Sequence, residues 1–312
     1  MNGCPLLVIC GATASGKTAL AIELAHAFDG EIVNADSRQI YRGMDVGTAK
    51  PTAVERAAAP HHLLDIAAPD EDFSLGLYVK LAHDAITEVQ ARGKLPLLVG
   101  GTGLYVRAVS TGFDVPEVPP DRDLRRQLEI VAAESGSEAL VERLKVLDPV
   151  SAARIDPQNV RRVIRAIEVS MALGEPFSAR QHHASPYDAL TIILDAEKPL
   201  LFERADKRLE SMVRDGFVSE VSRLLEAGYR AELPSMSALG YRELGRYVRG
   251  EWTLEQALDA TRIGTRSFIK RQITWFKTDA VACRLDIARG TAIEDARRLV
   301  DEWRASSIDG LS

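Results

Sequence analysis

Residues Gly11 to Thr18 read G-A-T-A-S-G-K-T, a full match to the phosphate-binding spacing G-x-x-x-x-G-K-[ST]. Gly11 and Gly16 let the backbone curl so that successive N–H groups, those of Thr13, Ala14 and Ser15 among them, converge on phosphate oxygens. They do so at a helix N-terminus, where the helix dipole also favours negative charge. Lys17 adds a point charge and Thr18 a hydroxyl for Mg²⁺. The chemistry expected here is a grip on a di- or triphosphate.

Two basic groupings lie elsewhere. Arg161, Arg162 and Arg165 cluster on one short segment, while Arg262, Arg266 and Lys270 recur every four residues and so share one face of a helix. Each grouping is either a solvated face or a track for a polyanion. The net charge of −6 is unlike the basic balance usual in proteins coated with nucleic acid, so local charge has to carry any such role. Cys4, Cys10 and Cys283 are odd in number, far apart and outside any C-x-x-C pair, which suits small core residues rather than disulfides or a thiolate zinc site. His61 and His62 are adjacent, as are His182 and His183, so the rings of each pair diverge instead of meeting at one metal.

The elements that must position these residues fall into two textures. The apolar run Pro5 to Cys10 precedes the phosphate loop, and Leu20, Ala21, Leu24, Ala25 and Phe28 follow it at helical spacing. Up to about residue 112, short apolar runs (Leu6 to Cys10, Glu31 to Ala35, Leu95 to Val99) alternate with helix-period stretches such as Tyr78 to Val89, which Gly93 ends. This is the pattern of an α/β fold, a P-loop-type parallel sheet flanked by helices. Pro116, Pro119 and Pro120 then mark a boundary. Asp121 to about Leu173 reads as all-helical, with Val160, Val163, Ile164, Ile167 and Met171 as its apolar stripe. The polar loop Gly174 to Asp188 leads to another buried strand, Leu190 to Leu194, and helices resume to the end. The expected organisation is a catalytic core of residues 1–115 and 190–312 with an all-helical insertion at 116–189.

With 312 residues and 46% apolar content the chain can bury a sizeable core. A positive leader segment and a bilayer-length apolar run are both missing, so the expectation is a cytoplasmic protein without a membrane partner. A motor or switch NTPase would end a strand in an Asp that supports Mg²⁺, yet Leu95 to Val99 runs into Gly100-Gly101-Thr102-Gly103. Asp195 is the remaining candidate for that role. The loop therefore suits a substrate whose pyrophosphate leaves better than ATP awaiting hydrolysis.

Six strings in collinear order resemble the tRNA dimethylallyltransferases: G-A-T-A-S-G-K-T from Gly11, N-A-D-S-R-Q-I-Y from Asn34, G-T-A-K-P from Gly47, P-H-H-L-L-D-I from Pro60, V-G-G-T-G-L-Y from Val99 and K-R-Q-I-T-W-F from Lys270. The resemblance runs from residue 5 to about 277, and the insertion falls where that family has one. It implies transfer of a five-carbon dimethylallyl group from dimethylallyl diphosphate to the exocyclic amine of the adenosine immediately 3′ of the anticodon, releasing pyrophosphate with Mg²⁺.

Under that resemblance Asp36 is the general base, Thr102 positions the reacting centre, and Arg208 closes on the diphosphate held by Gly11, Thr13, Ala14, Ser15, Gly16, Lys17 and Thr18, with Thr18 the metal ligand. The implied contacts to the tRNA anticodon stem-loop are Asp36, Ser37, Arg38, Gln39 and Thr102 at the base, Val160, Arg161, Arg162 and Arg165 on the insertion, and Arg266, Lys270 and Arg271, with Arg262, along the basic stripe. Asp156, Asn159 and Arg161 depart from the family's usual His, Asp and Gln. Residue chemistry by itself leaves Asp36 open as a turn cap or a magnesium support, Thr102 as a turn hydroxyl, Arg208 as an exposed helical arginine, and Trp275 and Phe276 as core. Competing functions are prenyl transfer to free adenine nucleotides, a small-molecule kinase, and a non-catalytic RNA-binding module. The reading is compatible with a monomer.

Overall fold

Continuous apolar runs, buried on both sides, are what parallel strands require. The computed structural model describes residues 3–112, 115–116, 118–179, 185–279 and 281–309, and among these it forms a six-stranded sheet in the order β3-β2-β4-β1-β5-β6. The strands are β1 (Cys4–Gly11), β2 (Gly30–Asn34), β3 (His61–His62), β4 (Leu95–Gly100), β5 (Tyr187–Asp195) and β6 (Cys283–Asp286), and all neighbours pair in parallel. His182 and His183 lie outside the described residues.

Alternation along β1 sends its side chains to two cores. Leu7 and Ile9 pack with Leu20 and Leu24 of α1 (Lys17–Phe28) and with Ala296 and Val300 of the terminal helix, α13 (Ala292–Asp309). Leu6, Val8 and Cys10 face the other way, onto Tyr78 and Ile86 of α3 (Leu75–Ala91) and Val109 of α4 (Gly103–Ser110). Full burial of each such aliphatic side chain contributes about 1.5–3 kcal/mol. Burial also lifts the Cys10 thiol to about 12, which suits the core role expected of it.

A third core joins the segment after β2 to the helices behind the site. Ile40, Tyr41 and Met44 pack on Leu209 of α9 (Lys198–Arg214), Phe217 and Val221 of α10 (Phe217–Glu226), Tyr241 of α11 (Tyr241–Val248) and Ala257 of α12 (Leu254–Phe276). The short α2 (Ala53–Ala58) begins with a capping box made by Thr52 and Glu55.

Residues Thr111–Ala184 form a separate compact unit, and the rest of the chain forms the other. That unit holds α5 (Arg122–Ser135), α6 (Ser137–Leu147), α7 (Pro149–Arg154) and α8 (Val160–Leu173) around Leu128, Leu140, Leu144, Val163, Ile164 and Ile167. Met171 departs from the expected stripe: it is 46% exposed, and the Arg143 guanidinium lies 3.9 Å from its sulfur. Two buried carboxylates order the unit. Asp148 caps α7 through the Ser151 N–H and also accepts from Ser178, while Glu168 accepts from Arg125, Arg165 and the Asp121 N–H.

Three strands differ from the sequence reading, among them the two-residue β3, whose paired histidines carry no apolar period. β5 begins at Tyr187, not Leu190, because Cys4 to Leu6 of β1 pair with Tyr187 to Ala189 despite the polar Asp188. β6 replaces what read as continuous helix; it is a four-residue edge strand whose Arg284 and Asp286 mask its period.

Candidate active site

The segment from Gly11 to Thr18 occupies the turn from β1 into α1. At Gly11 the backbone has φ +146°, and a Cβ would stand 2.5 Å from the Leu194 carbonyl oxygen, so only glycine fits against β5. Lys17 folds back so that Nζ donates 2.8 Å to the Ala12 carbonyl. The Ser15 hydroxyl is buried and has no partner among the described residues. Such a group costs about 1–3 kcal/mol unless an acceptor arrives, and a phosphate oxygen is one.

Thr13 behaves differently from the expected phosphate contact. Its N–H donates to Gln272 Oε1 at 2.9 Å and its hydroxyl accepts from Arg208, so both groups are held by protein. Arg208, on α9 (Lys198–Arg214), thereby reaches the loop. Burial pulls the Lys17 ammonium down to about 8; the Asp36 carboxylate works against that and Arg208 adds to it. Lys17, Arg208 and Asp36 are thus one electrostatic group.

Asp36 follows β2 on a short, internally bonded turn. Its N–H donates 3.1 Å to Asn34 Oδ1, the Asn34 amide donates to the carbonyls of Asp36 and Leu63, and the buried Tyr78 hydroxyl donates to the Asn34 carbonyl. Asp36 Oδ1 accepts the Arg38 N–H at 2.8 Å. Oδ2 has no protein partner among the described residues, which leaves one carboxylate oxygen free for chemistry.

The turn after β4 presses directly on this loop. At Gly100 a Cβ would lie 2.1 Å from the Ala35 carbonyl oxygen, at Gly101 2.6 Å from Gln272 Nε2, and at Gly103 2.2 Å from the Trp275 indole. Each glycine answers a different close approach. Thr102 donates its N–H to the Ala35 carbonyl at 3.2 Å, and its hydroxyl accepts the Ser37 N–H at 3.0 Å. Thr102 therefore fixes the backbone on both sides of Asp36.

These residues wall a cavity of about 710 Å³ bordered by Thr13, Asp36, Thr102, Arg208, Arg271 and Gln272, with Met212, Phe217, Phe268 and Trp275 as apolar lining. A smaller chamber of about 40 Å³ is lined by Lys17, Thr18, Asp36, Gln39 and His61. Asp36 lies on both walls. His61 donates or accepts through Nδ1 to the Ala59 carbonyl at 2.7 Å, while its buried Nε2 has no partner among the described residues.

Other expected site residues are engaged differently. The Gln39 amide donates to the carbonyls of Thr48 and Ala49, so it braces the G-T-A-K-P segment instead of presenting that N–H to a base. Arg38 donates 2.6 Å to the Pro234 carbonyl. Asp195 pairs with Arg284 at 3.3 Å and lines neither of these cavities. On α12, Arg262 pairs with Asp259 and Arg266 with Asp206, whereas Lys270 and Arg271 have no ion pair among the described residues. In the helical unit Arg161 and Arg162 are exposed and Val160 packs partly on the local core. Arg165 is different again: it holds Glu168 and donates to the carbonyls of Pro116 and Val118.

The family model for IPP transferase matches residues 39–279, and one for isopentenyl transferase matches residues 4–64. The chain belongs to the tRNA dimethylallyltransferase family. It is 55% identical over 274 residues to the tRNA dimethylallyltransferase of Roseiflexus castenholzii, covering 88% of this chain and 90% of that one. It is 46% identical over 308 residues to that of Thermomicrobium roseum, covering 98% and 94%. Among solved structures it resembles the full-length tRNA isopentenylpyrophosphate transferase from Bacillus halodurans, with TM-score 0.73, 38% identity and 99% of each chain covered. A eukaryotic dimethylallyltransferase acting on tRNA superposes with TM-score 0.81 at 25% identity, over 95% of this chain and 78% of that one. Membership makes the chain a transferase enzyme, and the kinase and simple binding-module readings are not favoured. No described helix is long and apolar enough to cross a membrane.

The sequence does not single out three buried residues that brace the site and the segment behind it. Gln272 bridges Thr13 and Gly101. Glu220, on α10, is buried and accepts the N–H groups of Asp45, Val46 and Gly47 together with the Tyr241 hydroxyl. Lys50 is buried, donating to the Tyr41 carbonyl, Asp45 and Asp65. Lys50 and Gln272 lie within the quoted G-T-A-K-P and K-R-Q-I-T-W-F strings, whereas Glu220 lies outside every quoted motif and carries no local signal.

Proposed function

We propose that this enzyme transfers a dimethylallyl group from dimethylallyl diphosphate to the exocyclic amine of the adenosine immediately 3′ of the anticodon in tRNA. The observation that carries the reading is the position of Asp36 on the walls of both cavities, with one oxygen free, beside Lys17 and Arg208. The diphosphate sits on the loop from Gly11 to Thr18 and the adenine enters the larger cavity. The amine nitrogen attacks the prenyl C1, the bond from C1 to the diphosphate oxygen breaks, and pyrophosphate leaves with the electron pair. Asp36 takes the amine proton as the new bond forms, a contribution of roughly 10²–10⁴-fold. Lys17 and Arg208 stabilise the charge that develops on the leaving group.

Hard oxygen donors suit Mg²⁺, which is typically held by one or two protein oxygens and otherwise by substrate phosphates and water. Thr18 on the small chamber fits that pattern, and no cluster of three or more His, Cys, Asp or Glu side chains occurs among the described residues to suggest an all-protein cage. Bound there by Thr18 and the diphosphate, the ion would neutralise departing pyrophosphate. Lys270 and Arg271 on α12, and Arg161 and Arg162 on the helical unit, are the groups proposed to meet tRNA phosphates. An anticodon loop is single-stranded, so extruding one base costs only a few kcal/mol.

The test is to incubate the protein with labelled dimethylallyl diphosphate, Mg²⁺ and either unmodified tRNA or AMP. Label should appear in tRNA at the adenosine 3′ of the anticodon; label in AMP alone would establish the nucleotide prenyltransferase instead.

A further inference from the structure

We propose that Gln272 is a positioning residue that ties the donor seat to the acceptor seat, so that filling one settles the other. This rests on the donor and acceptor assignments above and adds a residue that neither of them needs. The Gln272 side chain is buried, with 6% exposure, on the last two turns of α12. Its Oε1 accepts the Thr13 N–H at 2.9 Å and its Nε2 donates to the Gly101 carbonyl at 2.8 Å. A primary amide can accept at one end and donate at the other, and both ends here are used on backbone.

The two backbones are the ones that matter. Thr13 belongs to the loop that faces the diphosphate, and its hydroxyl also receives Arg208. Gly101 immediately precedes Thr102, which holds Ala35 and Ser37 on either side of Asp36. One side chain therefore connects the strand end that grips the leaving group to the turn that aims the base. The absence of a Cβ at Gly101 is matched to this contact, since a side chain there would collide with Nε2 at 2.6 Å. Three residues further along α12, Trp275 packs in the same way on Gly103. Lys270 and Arg271, the proposed phosphate contacts, adjoin Gln272 in sequence, so RNA seated on α12 acts on the same rigid helix.

Both bonds form together only when the two ends of the amide are in register with both backbones. A ligand that orders the acceptor turn holds Gln272 in the rotamer the donor loop requires, and the reverse must hold equally, because coupling between binding sites is reciprocal. If Gln272 only satisfied two buried backbone groups, its loss would lower stability and leave the two ligands independent.

Two variants separate these roles. Gln272→Met keeps the volume and removes both bonds; Gln272→Glu can still accept from Thr13 but cannot donate to Gly101. The probe for the donor seat is inorganic pyrophosphate with Mg²⁺, and its affinity is measured with and without an unmodified anticodon stem-loop, so no turnover is involved. In the wild-type protein the stem-loop should tighten pyrophosphate by at least about fivefold. In both variants that factor should fall to within about twofold of unity, with stem-loop affinity alone little changed. Under saturating substrates kcat should drop by about tenfold or more while the tRNA KM stays within about twofold, as expected for lost alignment and not lost binding. A wild-type factor of one, or a folded variant that keeps the wild-type factor, overturns the inference. Failure of wild-type protein to prenylate tRNA would instead overturn the proposed function, and the coupling measurement can be read without it.

Discussion

Charge is handled in opposite ways in the proposed diphosphate seat and in the helical unit. Lys17 rests on a backbone carbonyl and Arg208 on the Thr13 hydroxyl, so both cations are held in place by neutral oxygens and keep their charge for a ligand. In the helical unit Glu168 is 1% exposed and takes Arg125, Arg165 and a backbone N–H, a closed set. Burial alone would raise the Glu168 carboxyl, yet the hydrogen bonds from Arg125 and Arg165 outweigh it and hold it below the usual glutamate range. The contrast distinguishes charge that is oriented but uncompensated, which marks a binding seat, from charge that is neutralised locally, which marks scaffold.

The largest effect that would break this comparison is at Asp36. Asp36→Asn keeps the size of the side chain and leaves an oxygen to accept the Arg38 N–H, so fold and tRNA affinity should persist. The transfer rate should fall by at least about 100-fold. Turnover near the wild-type rate in a single-turnover assay would show that the free carboxylate oxygen is not the base.

A middle-sized effect follows from Lys17, whose ammonium is lowered to about 8 by burial, then adjusted upward by Asp36 and downward by Arg208. A base with a depressed pKa loses its proton early as pH rises. Donor affinity that depends on the charged form should be flat below pH 7, begin to weaken near 8 and be about tenfold weaker at pH 9 than at pH 7. The linked stability term has the opposite sense: between about 8 and the ordinary lysine value the unfolded chain holds the proton more tightly, so raising the pH through that window favours the fold. Titrating dimethylallyl diphosphate into the protein at several pH values, alongside Lys17→Met, checks the first claim. A pH-independent affinity in wild type would mean that the loop N–H groups carry the grip alone.

What could be read in the chain depended on how local each device is. The loop from Gly11 to Thr18 is specified within a few residues and is legible from spacing and strand context, whereas the turn at Gly100 to Gly103 and the carboxylate of Asp36 stand out only through the motifs that carry the family resemblance. Gln272 meets Thr13 across 259 positions, and only packing of α12 on the sheet end brings them together. The Arg208 contact with Thr13 likewise spans 195 positions. In the helical unit the three arginines are equivalent as sequence, because their types and spacing are alike. What separates them is Glu168, three residues beyond Arg165 on the same helix face, a pairing that the i, i+3 rule could have suggested. β6 is hard to read for a different reason: four residues with two charged side chains carry too little period to stand out against flanking helices.

The smallest effect sharpens the comparison within that trio. Arg162 is exposed at the first turn of α8 with no ion pair among the described residues, whereas Arg165 is tied to Glu168 and to the carbonyls of Pro116 and Val118. If uncompensated charge marks the binding surface, Arg162→Ala should reduce the log-log salt slope of tRNA binding by roughly one unit and leave thermal stability unchanged. Arg165→Ala should do the reverse, since it takes one partner from a buried carboxylate. Its cost should be about 1–2 kcal/mol, below the full value for breaking a buried pair because Arg165 is part-exposed and Arg125 remains. Measuring tRNA affinity at several salt concentrations and melting temperature for both variants decides between them. Equal salt slopes would mean that both arginines meet RNA or that neither does, and the distinction drawn from their partners would then fail.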